Sequence, residues 1–375
     1  MTYALATGGE TENIVYVWPG DEPRPNKVYV GLSGGPADDH NNGALIIEPG
    51  RAPIVLYTRH ADSSFPYIKY RIGDRPIEDG MAAQVWSAEQ SITYTGGPTY
   101  PSAHVDSNGT IHLICRDDLR WWSYTKSTDW GATWATPVRF MEHTAQCHVA
   151  SVLVQAGTHI RLAIGTHPSQ GDEKVRYAHI TTGGNVTDSN GTVLGNMDGT
   201  NLPLAVTTAF EVIGEAPVDH YKWVYDVSDG TYPEVAWSIY DSPDYAGTSR
   251  YKFTRKAGGV WTTTDIVAAG DRFSDSTQPY LGGVQMPTNT PGGRVYVARE
   301  SAGTWYVERH DSADNGATWT VTPIGQSTTR LVRAWPVEQR GATAPPFEVV
   351  AELIPRFTSF KNMKSTLVVL PSDDY

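Results

Sequence analysis

Short segments in which apolar and polar residues alternate recur along the chain. The segments "YKFTRK" (251–256) and "RVYVARE" (294–300) have a period of two, which is typical of a β-strand with one buried face. Apolar runs with the 3.6-residue period of an amphipathic helix are almost absent. Gly (36), Pro (25), Tyr (20) and Trp (12) are abundant, which suits strands joined by tight turns. The pattern predicts an all-β protein.

A turn followed by an apolar strand recurs six times, at spacings of about 50 to 75 residues, which is near the period of β-propeller blades or somewhat longer. The six segments are "EPGRAPIVLYTR", "DSNGTIHLICR", "QAGTHIRLAIGT", "SDGTYPEVAWS", "TPGGRVYVARES" and "RGATAPPFEVVAEL". The long interval between Ile164 and Ala236 leaves room for a seventh unit. We therefore expect a single β-propeller domain over residues 1–375, with seven four-stranded blades and six as the alternative.

Two octets share the pattern S-x-D-x-G-x-T-W: "STDWGATW" (127–134) and "SADNGATW" (312–319). The pattern resembles the Asp-box, a hairpin turn that occurs in propellers. The resemblance implies that the Asp accepts backbone N–H groups, that the Gly takes a positive φ and that the Trp packs between sheets. These residues are expected to be structural.

The composition narrows the classes of partner. A formal net charge of −12 argues against a nucleic-acid-binding protein, although a local cluster of cations could still bind an anionic substrate. No apolar run approaches the roughly 20 residues of a membrane span. The start "MTYALATGGE" lacks the pattern of a signal peptide, so an extracellular or virion-associated location would need either an export segment outside this sequence or another route. Cys115 and Cys147 lie in apolar segments and are expected to be buried free thiols.

Two histidines, His40 and His60, lie twenty residues apart at the ends of what the pattern predicts to be one hairpin. In a propeller the innermost strands run along a central channel, and their ends open at its mouth. Residues at those ends can therefore meet even when they are distant in sequence. Both histidines are expected at the mouth of the channel.

At these positions the chain resembles the BNR-repeat-containing propellers that include the ulvan lyases and related glucuronate-cleaving polysaccharide lyases. The similarity runs nearly end to end and includes "DDHNNGAL", "LYTRHA", "TYPSA", "ICR", "GTHP", "YLGGV", "ERHDSADNGATW" and "RAWPVEQRG". It implies a catalytic set of His40, His60, Tyr100 and Arg116. It also implies substrate contact at His167 and His148. At position 148 relatives often have Tyr, so His148 departs from the family pattern.

Uronate elimination explains why these residue types are useful together. The C5 proton beside the carboxylate is removed while the C4 oxygen leaves. Arg116 would neutralise the carboxylate, because a guanidinium pairs with both of its oxygens. With ordinary pKa values of about 6.5 for His and about 10 for Tyr, His40 is assigned as the base and Tyr100 as the acid, while His60 positions the substrate or exchanges roles with His40. The reverse assignment, with Tyr100 as the base, stays open.

Alternatives remain for the individual residues. Arg116 could pair with Asp117 or Asp118. Asn41 and Asn42 could bind sugar hydroxyls or form an Asx turn, and Arg299 and Arg333 could bind substrate or form structural ion pairs. No cofactor is required. A structural metal ion at His112 with Cys115, or at His143 with Cys147 and His148, is a weaker possibility, because neither spacing is a recognised zinc pattern.

The sequence therefore predicts a polysaccharide lyase that acts on an anionic, uronate-containing polysaccharide, as a monomer without nucleic-acid or membrane partners. A sialidase-like glycoside hydrolase is one alternative, although no early Arg-Ile-Pro-like motif is present and "RAP" at Arg51 falls in a predicted turn. A glycan-binding propeller without catalysis, for example on a phage particle, is the other.

Overall fold

The computed structural model describes most of the chain. The described residues are 2–7, 10–17, 26–32, 43–60, 62–76, 79, 84–154, 156–167, 172, 174–217, 221–240, 249–270, 282–287, 293–336, 347–359 and 362–371. Within these ranges the chain forms 29 strands and one four-residue helix, which are arranged in seven sheets. The prediction of an all-β fold is confirmed.

The chain divides into two compact units, and the first comprises residues 1–144 and 195–207. It contains the sheets β1-β2-β3, β4-β5-β6-β7 and β17-β11-β10-β9-β8. Every pairing in these sheets is antiparallel except that of β17 with β11. The strands are β1 (Thr2–Thr7), β2 (Glu10–Val17), β3 (Asn26–Leu32), β4 (Ala44–Ile46), β5 (Ile54–Tyr57), β6 (Tyr67–Ile72), β7 (Gln90–Thr93), β8 (Pro98–Val105), β9 (Ile111–Asp117), β10 (Trp121–Ser127), β11 (Val138–Glu142) and β17 (Leu204–Ala205).

The second unit comprises residues 145–194 and 208–375. Its sheets are β12-β13-β14-β15-β16 with β18 beside β14, then β19-β20-β21-β22, β23-β24-β25-β26 and β27-β28-β29. The elements are β12 (Cys147–Leu153), β13 (His159–Thr166), β14 (Lys174–Thr181), β15 (Asn185–Thr187), β16 (Val193–Asn196), α1 (Val206–Ala209), β18 (Glu211–Glu215), β19 (Tyr221–Val227), β20 (Glu234–Tyr240), β21 (Arg250–Ala257), β22 (Val260–Ala268), β23 (Gly283–Gln285), β24 (Arg294–Ser301), β25 (Thr304–Asp311), β26 (Thr320–Ser327), β27 (Arg330–Pro336), β28 (Phe347–Ser359) and β29 (Asn362–Pro371). One boundary between the units falls between β11 and β12, and the other two fall within β16 and α1.

The core lies between the faces of successive sheets. In the first unit, Ile54 and Leu56 of β5 pack in one cluster with Ile111 and Leu113 of β9. The second unit repeats this arrangement between each of its sheets and the next. Within each unit, the sheets that contribute to these clusters thus bury apolar residues against one another, which stabilises the fold by roughly 25 cal/mol per Å² of buried apolar surface.

The sequence located the second strand of six sheets but placed the seventh unit wrongly. The six recurring segments contain β5, β9, β13, β20, β24 and β28. The interval between Ile164 and Ala236 contains no additional sheet among its described residues, because β15, β16 and β18 extend the sheet of β13 and β14. The further sheet lies instead at β1–β3. Three of the seven described sheets have four strands, and the closed ring of blades stays a prediction.

The two octets form equivalent turns. Asp129 accepts hydrogen bonds from the Thr133 backbone N–H (2.9 Å) and hydroxyl (2.6 Å), and Asp314 accepts the same pair from Thr318 (2.8 and 2.7 Å). The octet glycines Gly131 and Gly316 have φ values of +81° and +89°. The octet tryptophans make edge contacts with an adjacent sheet, Trp134 with Tyr70 at 5.9 Å and Trp319 with Phe253 at 5.4 Å between centroids. The contacts expected for these turns are present.

Cys115 and Cys147 are both free and buried, so the prediction for the thiols is confirmed. The described part of the chain has no helix of the length and apolar character that a membrane span requires.

Candidate functional site

Three residues of the predicted catalytic set lie together in the first unit. His60 follows β5, Tyr100 lies in β8 and Arg116 is the penultimate residue of β9. The centroids of the His60 and Tyr100 rings are 6.1 Å apart, and the Arg116 guanidinium carbon lies 4.7 Å from the Tyr100 ring centroid. Tyr100 is therefore the shared neighbour of His60 and Arg116. His40, Asn41 and Asn42 lie outside the described residues.

A β-bulge places Tyr100. Thr99 pairs with Arg116 and Ser102 pairs with Ile114, so Tyr100 and Pro101 together stand opposite a single residue of β9. Pro101 has no N–H to donate to the sheet, which favours a bulge at this point. Tyr100 itself has a φ of +56°, a left-handed conformation that costs roughly 1–2 kcal/mol for a residue with a side chain. Such a conformation persists where the surrounding structure enforces it, and here it directs the phenol towards Arg116.

The chain segments that carry His60 and Tyr100 are held against each other. The hydroxyl oxygen of buried Thr58 lies 2.8 Å from the carbonyl oxygen of Pro98 and 2.9 Å from that of Tyr67. A Cβ added at Gly97 would stand 2.6 Å from the backbone carbon of Asp62, so only glycine permits this approach of the two segments. These contacts explain why residue 97, the second glycine of "GGPTYP", is a glycine. They also hold the segment that carries His60 against the segment that carries Tyr100.

Arg116 is fully buried, with no side-chain exposure, between Thr99 of β8 and Trp122 of β10. Its sequence neighbour Asp117 is engaged elsewhere, since Asp117 accepts hydrogen bonds from Arg139 Nε (2.9 Å), Ser123 Oγ (3.1 Å) and the Gly96 N–H (2.7 Å). Adjacent strand residues point to opposite faces. The structure thus separates Arg116 from Asp117, and the described contacts give no support to the alternative in which those two residues pair.

The two histidines predicted to contact substrate lie together in the second unit. His148 belongs to β12 and His167 directly follows β13, and their ring centroids are 5.9 Å apart. The indole ring of Trp223, in β19, lies 4.4 Å from His148 and 6.5 Å from His167 between centroids. Neither Trp223 nor its neighbour Lys222 was among the candidates from the sequence, because β19 lies in the interval that the turn-and-strand pattern did not resolve.

Arg299 and Arg333 both form ion pairs. Arg299 binds both carboxylate oxygens of Glu308 at 2.8 Å, and His310 donates to the same carboxylate at 3.0 Å. Burial alone would raise the pKa of Glu308, but the hydrogen bonds from His310 and Arg299 lower it to about 2. Arg333 contacts Glu352 at 3.4 Å. The structural role allowed for these arginines is therefore observed, and substrate contact stays a prediction.

The structure gives no support to the proposed metal ligands. Both ring nitrogens of His112 lie near oxygen partners, Nδ1 at 2.8 Å from Tyr124 and Nε2 at 3.3 Å from Asp106. Burial of Cys115 raises the pKa of its thiol well above the usual value, which disfavours the metal-binding thiolate. Among the residues that the structure describes, no three His, Cys, Asp or Glu side chains are grouped so that they could hold a metal ion.

Comparison with solved structures relates the fold to ulvan lyases. The structure of a PL25 ulvan lyase, a polysaccharide lyase, aligns with a TM-score of 0.66 and 14% identity, over 98% of this chain and 91% of its own. A structure of a PL25 ulvan lyase bound to -[GlcA(1-4)Rha3S]- gives the same values. The polysaccharide lyase Uly1 aligns with a TM-score of 0.61 and 13% identity, over 99% of this chain and 87% of its own.

No protein-family model and no curated protein matches the sequence. At 13–14% identity, the structural similarity shows that the chain has the fold of these lyases. Its chemistry has to be argued from its own residues.

Proposed function

We propose that the protein is a polysaccharide lyase that cleaves a uronate-containing anionic polysaccharide by β-elimination. The observation that carries the proposal is the grouping of His60, Tyr100 and Arg116 around one point of a lyase-like fold. A phenol with an imidazole and a guanidinium as neighbours supplies two groups that can move protons and one cation that can stabilise charge.

In the proposed reaction, Arg116 pairs with the uronate carboxylate and stabilises the charge that develops when C5 loses its proton. The electrons of the C5–H bond form the C4–C5 double bond, the C4–O bond breaks, and the leaving oxygen takes up a proton. No water is consumed. The products are a 4,5-unsaturated uronate end and a new hydroxyl end.

The proposed base is His40 and the proposed acid is Tyr100, with His60 positioning the substrate or exchanging roles with His40. The reverse assignment is kept as the alternative, with the Arg116 guanidinium 4.7 Å from the Tyr100 ring centroid. In that assignment Tyr100 removes the C5 proton and a histidine protonates the leaving oxygen.

The substrate class follows from the same chemistry. Elimination requires a carboxylate beside the acidified C–H bond, so the cleaved residue is a uronate, and we propose glucuronate or iduronate. The structure of one similar ulvan lyase has -[GlcA(1-4)Rha3S]- bound. We propose an ulvan-like or rhamnose-glucuronate polysaccharide as the substrate.

The test is to incubate the full-length protein with a panel of uronate polymers, both sulfated and unsulfated. Formation of the ultraviolet-absorbing unsaturated uronate, with product masses one water lower than those of hydrolysis, is the expected result. Cleavage that gives hydrolysis masses would instead identify a sialidase-like hydrolase. Binding without cleavage of any polymer would identify a glycan-binding protein, and either of these results would overturn the proposal.

A further inference from the structure

Three consecutive residues of β19, Lys222, Trp223 and Val224, meet the chain segment that carries His167. That segment is Gly165–Thr166–His167, at the end of β13. A Cβ added at Gly165 would lie 3.0 Å from Val224 Cγ2, so the glycine permits β19 to approach closely. The contacts of the other two residues follow from this approach.

Lys222 holds the middle residue of the segment. Its side chain is in the interior, with 2% of the residue exposed, and Nζ donates a hydrogen bond to Thr166 Oγ1 at 2.7 Å. The same hydroxyl donates onward to the Asp172 carbonyl oxygen at 2.9 Å. A buried ammonium costs free energy through its lost hydration, whereas a hydrogen bond from a charged donor is stronger than one between neutral groups. Lys222 therefore fixes Thr166, the residue immediately before His167.

Trp223 lies against the rings of both histidines. Its indole is 4.4 Å from the His148 ring, tilted by 39°, and meets the His167 ring edge-on at 6.5 Å. His167 is further held by the hydrogen bond from its N–H to the Gln146 carbonyl oxygen at 2.7 Å. Contacts with a large aromatic ring restrict the planes that the two imidazoles can adopt.

We propose that Lys222 and Trp223 are positioning residues, which hold His167 and His148 in the orientation that binds the polysaccharide. This inference rests on the proposed function, because polysaccharide contact by the two histidines is itself proposed. A positioning role predicts an effect on substrate affinity. Neither side chain is placed at the bond that breaks, so the chemical step is expected to be preserved.

The test compares Lys222→Met and Thr166→Val, which remove the two partners of one hydrogen bond, with Lys222→Arg and Thr166→Ser, which keep a donor and an acceptor. We expect KM to rise about tenfold in the first pair, which corresponds to about 1.4 kcal/mol, while kcat stays within about twofold. Thr166→Ser is expected to restore the wild-type KM and Lys222→Arg to restore part of it.

Lys256→Met is the matched control. Lys256 is also buried in the second unit, with 7% exposure, but it donates to Asn190 at 2.8 Å and lies over Trp261 at 5.8 Å. Its replacement should lower the melting temperature and leave KM unchanged. If Lys256→Met raises KM as much as Lys222→Met, the effect is one of general stability, and the inference is overturned. The inference is also overturned if Lys222→Met and Thr166→Val both keep the wild-type KM.

The histidine ring resonances provide a readout that does not depend on catalysis. In ¹H–¹⁵N spectra, Lys222→Met and Thr166→Val are expected to shift or broaden the His167 ring signals, whereas Lys256→Met leaves them in place. If the wild type cleaves no uronate polymer, the proposed function fails, and these spectra still decide whether Lys222 orients His167. Unchanged His167 signals in both variants would overturn the positioning role.

Discussion

Arg116 is the residue with the clearest conflict between stability and chemistry. A guanidinium with no exposed surface has lost its hydration, and this loss costs several kcal/mol unless neighbouring groups compensate. The same low-dielectric surroundings strengthen its attraction for a negative charge. Because no surface of Arg116 is exposed, the proposed pairing with a substrate carboxylate requires the groups that cover it to move aside. Once reached, the guanidinium would stabilise a developing carbanion more strongly than an exposed arginine would.

We expect Arg116→Ala to lose nearly all turnover, by about 10²- to 10³-fold in kcat, because one electrostatic stabiliser commonly contributes roughly 2.7–4 kcal/mol. Arg116→Lys should restore little, since an ammonium cannot pair with both carboxylate oxygens. Initial rates of unsaturated-uronate formation measure the effect, with circular dichroism as the control for folding. A folded Arg116→Ala protein with wild-type turnover would remove Arg116 from the mechanism.

Tyr100 can be tested with its surroundings almost unchanged. Tyr100→Phe keeps the ring that contacts Arg116 and the same backbone conformation, and removes only the hydroxyl. Because the hydroxyl is the group proposed to transfer a proton, we expect a loss of kcat of at least about 10², with KM nearly preserved. Kinetics at saturating polymer will show this. Retention of most of kcat would exclude Tyr100 as either acid or base.

The sequence is informative about some residues of the site and silent about others. Tyr100 and Arg116 are recognisable through the resemblance of "TYPSA" and "ICR" to the lyase family, and their meeting follows from the pairing of β8 with β9. Lys222 could not be found in this way. Its role depends on a neighbouring sheet that brings Val224 against Gly165, and no local pattern encodes that contact.

At the scale of elements, the strands that the sequence reveals are those with the most continuous burial. In β9 every residue is buried, and in β13 all but the first are, so each reads as an apolar run after a turn. The outer strands β22 and β26 are largely exposed and carry a weaker pattern. The seventh unit was misplaced for a different reason. The short strands β15 and β16 extend an existing sheet and do not form a separate one.

The octet turns should be separable from the chemistry. In Asp129→Ala the hydrogen bonds from Ser127 and Thr133 are lost, so we expect the melting temperature to fall by a few degrees. Asp314→Ala removes the equivalent bonds from Ser312 and Thr318 and should behave alike. Differential scanning calorimetry measures the change. The surviving folded protein should retain kcat, and a specific loss of kcat in Asp129→Ala would contradict the structural role.

At the scale of the molecule, the charge sets the conditions for substrate binding. With a formal net charge of −12, the protein as a whole repels a polyanion, so any affinity has to come from local cations and hydrogen bonds. Arg116 is the cation proposed for this purpose in the first unit. Salt screens the long-range repulsion more strongly than it screens contacts within a buried site.

Three partly buried histidines are expected to make the stability of the fold sensitive to acid. Burial, followed by the charge of a neighbouring histidine or arginine, lowers the pKa of His104, His159 and His179 to about 4. The ring centroids of His159 on β13 and His179 on β14 are 4.6 Å apart. Arg161 lowers the pKa of both histidines, whereas Asp188 raises the pKa of His179. These side chains are neutral in the folded protein at pH values where they are already protonated in the unfolded chain.

Acid is expected to lower the free energy of unfolding. Above about pH 6.5 the histidines are neutral in both states and stability does not depend on them, whereas between about pH 6.5 and 4 only the unfolded chain takes up protons. We expect the free energy of unfolding to fall by about 1 kcal/mol per histidine at pH 5, after allowance for solvent screening of these partly exposed rings. Carboxylates such as Glu308, with a pKa of about 2, add their own loss of stability only at lower pH.

Urea unfolding at pH 7.5, 6 and 5 measures how steeply the free energy of unfolding falls with pH, and the double variant His159→Gln/His179→Gln should reduce this slope. A slope in that variant equal to the wild-type slope would show that this pair does not cause the acid sensitivity.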